Sequence, residues 1–418
     1  MKVPSEGVLS PFRVRAFRYQ WPADLAMSWA AEMEVLILGW YILVESESVT
    51  LLVFFGALQY LGSLVSPVFG VVGDRFGYGR LLWMTRALYA AMAATLGWLA
   101  ATGLLSPVAV LMVAGITGLV RPSDMVMRYA LIAQNLPAHQ LMGALGISRI
   151  TSDSARMAGA LAGAGTVAML GIAPAYLIVT LLYVGSFVLS MQVARPPRAD
   201  SSTPHSVTKA PATPLKDLRS AFQYVGQSPT LMGGMSLAFL VNLLAFPLFI
   251  GLLPYVARNV YGVGQGGLGW LGASFAFGAL LGSLVLSTNR LRMDASRLML
   301  VAGLAWFVFN GIQAQATELL SGMALLTLSG FAQSLSMTPL AAVMLRATSP
   351  DYRGRVMGMR MLAIWGLPMG LLASGPLIEA IGFRNTITAY SILGIVLTLA
   401  MMWRWRQALW HHQQPPSP

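Results

Sequence analysis

Apolar runs of about twenty residues recur along nearly the whole chain, each closed by a short polar or charged loop. A run of that length crosses the hydrocarbon core of a bilayer as one helix. Inside lipid a helix satisfies every backbone N–H and C=O within its own segment. The fold class that follows is all-α: a polytopic membrane protein with twelve transmembrane helices in two pseudo-symmetric six-helix halves. The spans read as 21–44, 50–72, 81–104, 108–127, 141–170, 173–194, 231–253, 267–287, 298–315, 319–345, 356–378 and 386–403.

Only 10% of the residues are charged, against about 25% in a soluble domain. The first twenty residues are polar and basic, so no cleavable signal peptide is expected. The absence of cysteine removes disulfides and thiolate metal sites. Four histidines, two of them (His411 and His412) in the polar tail, leave little for an imidazole cluster. No motif for a nucleotide, a metal or an activated nucleophile appears, so the expectation is no cofactor, no metal and no enzyme. The formal charge of +12 would suit nucleic acid, but the basic residues fall between apolar spans, where they set topology instead.

That topology can be read off. With a cytoplasmic N-terminus, the inner side receives Arg13, Arg15, Arg18, Arg75, Arg80, Arg290, Arg292, Arg353, Arg355, Arg404 and Arg406, among others. The outer loops receive only Arg258 and Arg384, against Glu45, Glu47, Glu318 and Glu379. Both ends are therefore expected inside. One long polar interruption, 195–228, carries Pro196, Pro197, Pro204, Pro211 and Pro214 among Ser and Thr. It reads as a cytoplasmic linker, with a short amphipathic helix near 215–224, between a first half at 1–194 and a second at 229–418. The halves echo one another: Gly56-Ala57 and Gly62 recur as Gly272-Ala273 and Gly278, Met142-Gly143 as Met357-Gly358, and Gly159-Ala160 as Gly375-Pro376.

Between the second and third spans lies Gly70-Val71-Val72-Gly73-Asp74-Arg75-Phe76-Gly77-Tyr78-Gly79-Arg80. This resembles the signature loop of the major facilitator superfamily, Gly-x-x-x-Asp-Arg-x-Gly-x-x-Arg, with Tyr78 and Gly79 where that family has a basic pair. The resemblance implies a gating loop of Gly70, Asp74, Arg75, Gly77 and Arg80. Asp74 is expected near the N-terminus of the eleventh span, where free N–H groups favour an anion. A second run, Pro350-Asp351-Tyr352-Arg353-Gly354-Arg355-Val356-Met357-Gly358, resembles the bacterial exporter group that includes the enterobactin exporter and macrolide-efflux proteins. Antiporters of the superfamily often carry a Gly-Pro pair in the fifth helix; here Gly159 precedes Ala160, and the pair is intact only as Gly375-Pro376.

Ionisable groups inside spans are costly in lipid and mark function by default. Glu32 and Glu34 lie in the first span, Arg121, Asp124 and Arg128 in the fourth, Arg149, Asp153 and Arg156 in the fifth. Glu32, Glu34 and Asp153 are the candidates for proton coupling; the arginines and Asp124 are their buried charge partners. About 200° of helix separates Glu32 from Glu34, so one faces the cavity and the other a helix interface, with Glu32 the cavity candidate beside Trp29. Asp153 between Arg149 and Arg156 also reads as a permanent neutralising pair. The second half offers neutral polar groups, Asn242, Asn310, Gln313 and Gln333. Trp29, Asn242, Phe246 and Gln333 are the cargo-cavity candidates.

The resemblance implies a secondary transporter that moves a small amphipathic molecule, a drug-like compound or siderophore, by proton-coupled export and alternating access. Its partners would be small-molecule cargo, protons and the lipid bilayer, with no nucleic acid, and its state a monomer in the bacterial inner membrane. Uptake, movement of a lysolipid, and a non-transporting receptor of the same fold are the other readings open at this point.

Overall fold

A computed structural model of the chain describes residues 10–63, 72, 76–137, 140–193, 222–288, 293–349, 352, 356, 359–360 and 362–410. Its contacts divide into two units. One comprises Met1–Pro196 with Gly251–Ala276, the other Pro197–Ile250 with Phe277–Pro418.

The first unit holds α1 (Arg15–Ser46), α2 (Val49–Leu58), α3 (Tyr78–Ala101), α4 (Pro107–Asn135), α5 (Leu141–Leu170) and α6 (Ile172–Val193). Local chemistry sets the ends. Glu47 turns left-handed after α1, and Ser48 then caps α2 by accepting from the Leu51 N–H at 3.2 Å. Ser106 caps α4 the same way, with Pro107 in the first turn, where its missing N–H costs nothing. Between α5 and α6 the chain turns on Gly171 at φ 86°, a conformation open to glycine. The core sits among α1, α3, α4 and α6, built from Ile37, Leu38, Tyr89, Ala93, Tyr176 and Tyr183.

The second unit starts with α7 (Pro229–Leu244), opened by the cap Ser228. Sequence alone suggested one unbroken span over 231–253. Instead α7 stops at Leu244 and resumes as the short pieces Phe246–Ile250 and Leu253–Tyr255 and a π-helical turn Val256–Val260. Pro247 and Pro254 explain the interruptions, since each lacks an N–H and crowds the preceding turn. Then follow α8 (Gln265–Ser287), α9 (Ala295–Gln313), α10 (Leu319–Arg346) and α11 (Gly366–Arg404). The last is two spans, 366–381 and 383–404, folded about Gly382 at φ 82°. Among the described residues, seven helices are long and apolar enough to cross a membrane, and Val49–Ser63 and Pro229–Leu244 are shorter apolar helices.

The stretch Gly251–Ala276 belongs with the first unit. Gly269 and Gly272 lie against Ala164 and Ala160 of α5, and Arg258 donates to the Leu43 carbonyl at 2.7 Å while facing Glu47 at 3.4 Å. Within the second unit, Tyr224 stacks on Tyr352 with ring centroids 4.4 Å apart and accepts from the Ser349 N–H at 3.0 Å. The linker helix expected near 215–224 lies mostly outside the described residues, which begin again at 222.

Glycines carry the closest crossings, and they do so twice. A Cβ on Gly62 would lie 2.0 Å from the Leu119 carbonyl oxygen of α4, and one on Gly278 would lie 1.9 Å from that of Thr327 on α10. The recurrence of Gly62 as Gly278 is thus a recurrence of one contact. Gly159 and Gly163 of α5 sit on Glu32 and Met33 of α1, as Gly366 and Gly370 sit on Phe239 and Leu243 of α7. By contact, then, Gly159 corresponds to Gly366, which corrects its pairing with Gly375. Gly171 and Gly382 repeat the hairpin corner.

An added methyl has no room at these crossings, and overpacking costs about 1–3 kcal/mol or more. Gly62→Ala and Gly278→Ala should each lower the melting temperature of the detergent-purified protein. Gly185→Ala, with open space around it, should leave it unchanged or raise it slightly, because alanine favours helix over glycine. Equal melting temperatures for all three variants would contradict the crossing geometry.

Candidate functional site

Four charges meet in the interior of the first unit. Asp24 of α1, Arg86 of α3, and Asp124 and Arg128 of α4 form one cluster. Arg86, whose side chain is fully buried, pairs with Asp24, reaches Asp124 at 3.4 Å and donates to Ser190 of α6 at 2.7 Å. Arg128 Nε lies 2.5 Å from Asp124 and 3.4 Å from Asp24, and its Nη1 donates to Ser28 at 3.1 Å. Gln20 closes the arrangement by donating to the Arg128 carbonyl at 3.0 Å. Two cations and two anions leave no net charge, which is what permits such groups to be taken out of water.

Sequence reasoning named Asp124 and Arg128 and missed Asp24 and Arg86. The signal was present, because Asp24 falls inside the first apolar run and Arg86 inside the third. The same rule that selected Asp124 would have selected both.

Glu32 and Glu34 do point to different places. Glu32, one-third exposed, faces Arg156 of α5 at 3.8 Å. Arg156 had been grouped with Asp153; it serves α1 instead. Glu34 is buried in the apolar core, where Tyr183 of α6 donates to its Oε2 at 2.8 Å. Tyr183 stacks on Tyr89 at 5.5 Å, and Tyr89 donates to the Thr117 carbonyl at 3.2 Å. Among the described residues, no arginine or lysine stands within ion-pair distance of Glu34. Arg121 of α4 engages Gln59, beyond the end of α2, and not a carboxylate.

Asp153 is buried and lies 3.1 Å from Arg149, one turn earlier on α5. Arg149 was expected as a buried partner, but its side chain is 61% exposed. A long guanidinium stem lets the charge reach outward while its base stays on the helix.

The four cargo candidates fall on both units. Trp29 is half-buried on α1, and its indole N–H has no hydrogen-bond partner among the described residues. Asn242 is buried on α7 and donates back to the Ala238 carbonyl at 2.8 Å. Phe246 sits at the break after α7 and packs edge-on against Trp306 of α9 at 4.8 Å. Gln333 is buried on α10. The break is braced by Asn310 of α9, which donates to the Ala245 carbonyl at 3.1 Å and accepts from Ser329 of α10 at 3.1 Å. Of the gating loop, Gly77 takes φ 87° and Arg80 lies in the first turn of α3. Gly70, Asp74 and Arg75 lie outside the described residues, as do Arg353, Gly354 and Arg355.

Residues 6–417 match the family model described as a transmembrane secretion effector. The multidrug efflux pump Tap of Mycolicibacterium fortuitum is 32% identical over 135 residues, a match covering 31% of this chain and 33% of that pump. Solved structures share the fold over almost the full length. A bacterial homologue of the human lysosomal transporter Spinster superposes with a TM-score of 0.75 at 14% identity, covering 97% of this chain and 99% of that one. The nucleoside transporter NupG gives 0.71 at 14% identity, covering 94% and 99%. The human organic anion transporter MFSD10 gives 0.62 at 16%, again covering 94% and 99%.

Removing one member of the four-charge cluster strands the others. Arg86→Met should cost about 3–5 kcal/mol, the usual penalty for an uncompensated buried charge, read as loss of monodisperse protein and a lower melting temperature. Combining Arg86→Met with Asp24→Asn restores neutrality and should recover part of the loss. A double variant no better than the single one would contradict neutralisation as the role of the pair.

Proposed function

Because the chain belongs to the transmembrane secretion effector family of major facilitators, and is therefore a transporter and not an enzyme, we propose that it exports a small amphipathic molecule in exchange for protons. Alternating access of two six-helix halves, 1–194 and 229–418 joined by the linker 195–228, would carry the cargo. The protein would sit in a bacterial inner membrane with both termini cytoplasmic. The partial relationship to a multidrug efflux pump supports export and an amphipathic cargo. Discontinuity at Ala245 in α7 supports a cargo site there, since transporters bind substrates at interrupted helices.

One observation carries the coupling: the environment of Glu34 against those of Glu32 and Asp153. Protonating Glu32 would leave Arg156 without its partner, and protonating Asp153 would do the same to Arg149. Protonating Glu34 breaks no ion pair among the described residues. A tyrosine hydroxyl can donate to a carboxylate or accept from a carboxylic acid, so Tyr183 can serve both states with only a hydroxyl rotation. Glu34 is thus the group best suited to gain and lose a proton without disturbing the fold, and α1 is the helix that would transmit the change. Trp29, five residues earlier on α1, carries a buried indole N–H with no hydrogen-bond partner among the described residues, and would be the side chain through which cargo meets that helix.

Purified protein in liposomes with an imposed pH step and a fluorescent amphipathic cation tests this reading. Glu34→Gln should bind the cation normally yet reduce gradient-driven flux to that of empty liposomes. Glu32→Gln should weaken transport while keeping its dependence on the gradient. Wild-type flux in Glu34→Gln would remove it from coupling.

A further inference from the structure

Outside the charged interior, the second unit holds two adjoining cavities of opposite character. The first, about 690 Å³, is walled by Phe239 and Leu243 of α7, Met359, and Leu397 and Met401 of α11. The second, about 460 Å³, is lined by Pro229, Trp403, Arg406, Gln407 and Ala408. Arg404 and Trp405 line both, so the apolar and the basic cavity adjoin at these two residues. No aspartate or glutamate lines either cavity, and Arg404 has no carboxylate partner among the described residues. The apolar cavity reaches the surface of the unit through the exposed Phe222 and the partly exposed Leu397. Each volume falls within the roughly 300–1,000 Å³ of ordinary ligand sites.

We propose that this paired cavity binds an anionic glycerophospholipid of the bilayer, with acyl chain in the apolar chamber and phosphate on Arg404 and Arg406. The chemistry of the two chambers selects it. A hydrocarbon chain gains by leaving the polar boundary for Phe239, Leu243, Leu397 and Met401. A phosphate gains from Arg404, which has no competing carboxylate among the described residues. Half-buried Trp405 lines both chambers and exposed Trp403 the basic one, in keeping with the preference of indole for a membrane–water boundary. Arg404 and Arg406 belong to the basic set that topology places on the cytoplasmic side, where basic pockets between helices recognise acidic headgroups. A zwitterionic lipid would bring its own cation beside the two arginines and bind less well. The occupied cavity would tie the start of α7 to the end of α11, making the resting position of α7 depend on membrane composition.

The test is native mass spectrometry of the full chain, purified in detergent and offered equal amounts of phosphatidylglycerol and phosphatidylcholine. Wild type should prefer phosphatidylglycerol by about fivefold for each arginine engaged, the factor one basic residue contributes at an anionic interface. Arg404→Gln with Arg406→Gln should erase that preference. Ala400→Trp, an exposed position on the wall of the apolar chamber, should reduce retention of both lipids while leaving the melting temperature unchanged. Equal retention of the two lipids by wild type would overturn the proposal, as would wild-type retention in Ala400→Trp. Retention of a hydrophobic drug in place of both lipids would also overturn it, by making the groove a cargo site.

Discussion

Charge neutrality in a medium that cannot solvate ions is the constraint on which the first unit rests. Asp24, Arg86, Asp124 and Arg128 satisfy it jointly, and in doing so they fix α1, α3 and α4 to one another, with α6 added through Ser190. An isolated charge in this interior would cost several kcal/mol, so the four are held as a set. Ten residues along α1 from Asp24, Glu34 accepts from Tyr183 and, among the described residues, has no arginine or lysine within ion-pair distance. On the function proposed above, structural and exchangeable charge are separated on one helix.

The two units solve helix packing by one geometry and polar satisfaction by two. Gly62 and Gly278, Gly159 and Gly366, and Gly171 and Gly382 place backbones at matching distances and corners in each. Among the described residues, however, the ion pairs inside spans belong to the first unit. The second relies on neutral hydrogen bonds, above all Asn310 between Ala245 and Ser329. Neutral groups suit a helix that is already broken, because they can satisfy a freed carbonyl without needing a counter-charge. Charges in the first unit and an interrupted α7 in the second are the division of labour expected if coupling lies in one part and cargo recognition in the other.

Much of this was legible in the chain itself. Span length and the distribution of arginines announce an all-α membrane protein, and the Asp74-Arg75 loop points to its superfamily. Which acid meets which base was not legible. Spacing along α5 suggested that Asp153 would hold both Arg149 and Arg156, but helical spacing says nothing about the neighbouring helix, and Arg156 turns to Glu32 on α1. Asp24 and Arg86 lie inside the first and third apolar runs, so their cost was legible, but their partners were not, since only the packing of α1, α3 and α4 brings them together. The break in α7 was visible as Pro247, yet proline is tolerated in membrane helices when neighbours re-satisfy the backbone. Asn310, the neighbour that does so, is 65 residues away from Ala245. Pairing Gly159 with Gly375 followed the dipeptide, whereas the fold repeats the face that touches the first helix of each half.

The central claim is that Glu34 exchanges a proton while the four-charge cluster does not. Infrared difference spectroscopy of the protein in lipid, recorded across a pH titration, reads carboxylic-acid C=O stretches directly. The account predicts one titrating band from a buried carboxyl, absent in Glu34→Gln and shifted in Tyr183→Phe, with no such band lost in Asp124→Asn. A titrating band that survives Glu34→Gln and disappears in Asp124→Asn would contradict it, and would place the proton in the cluster.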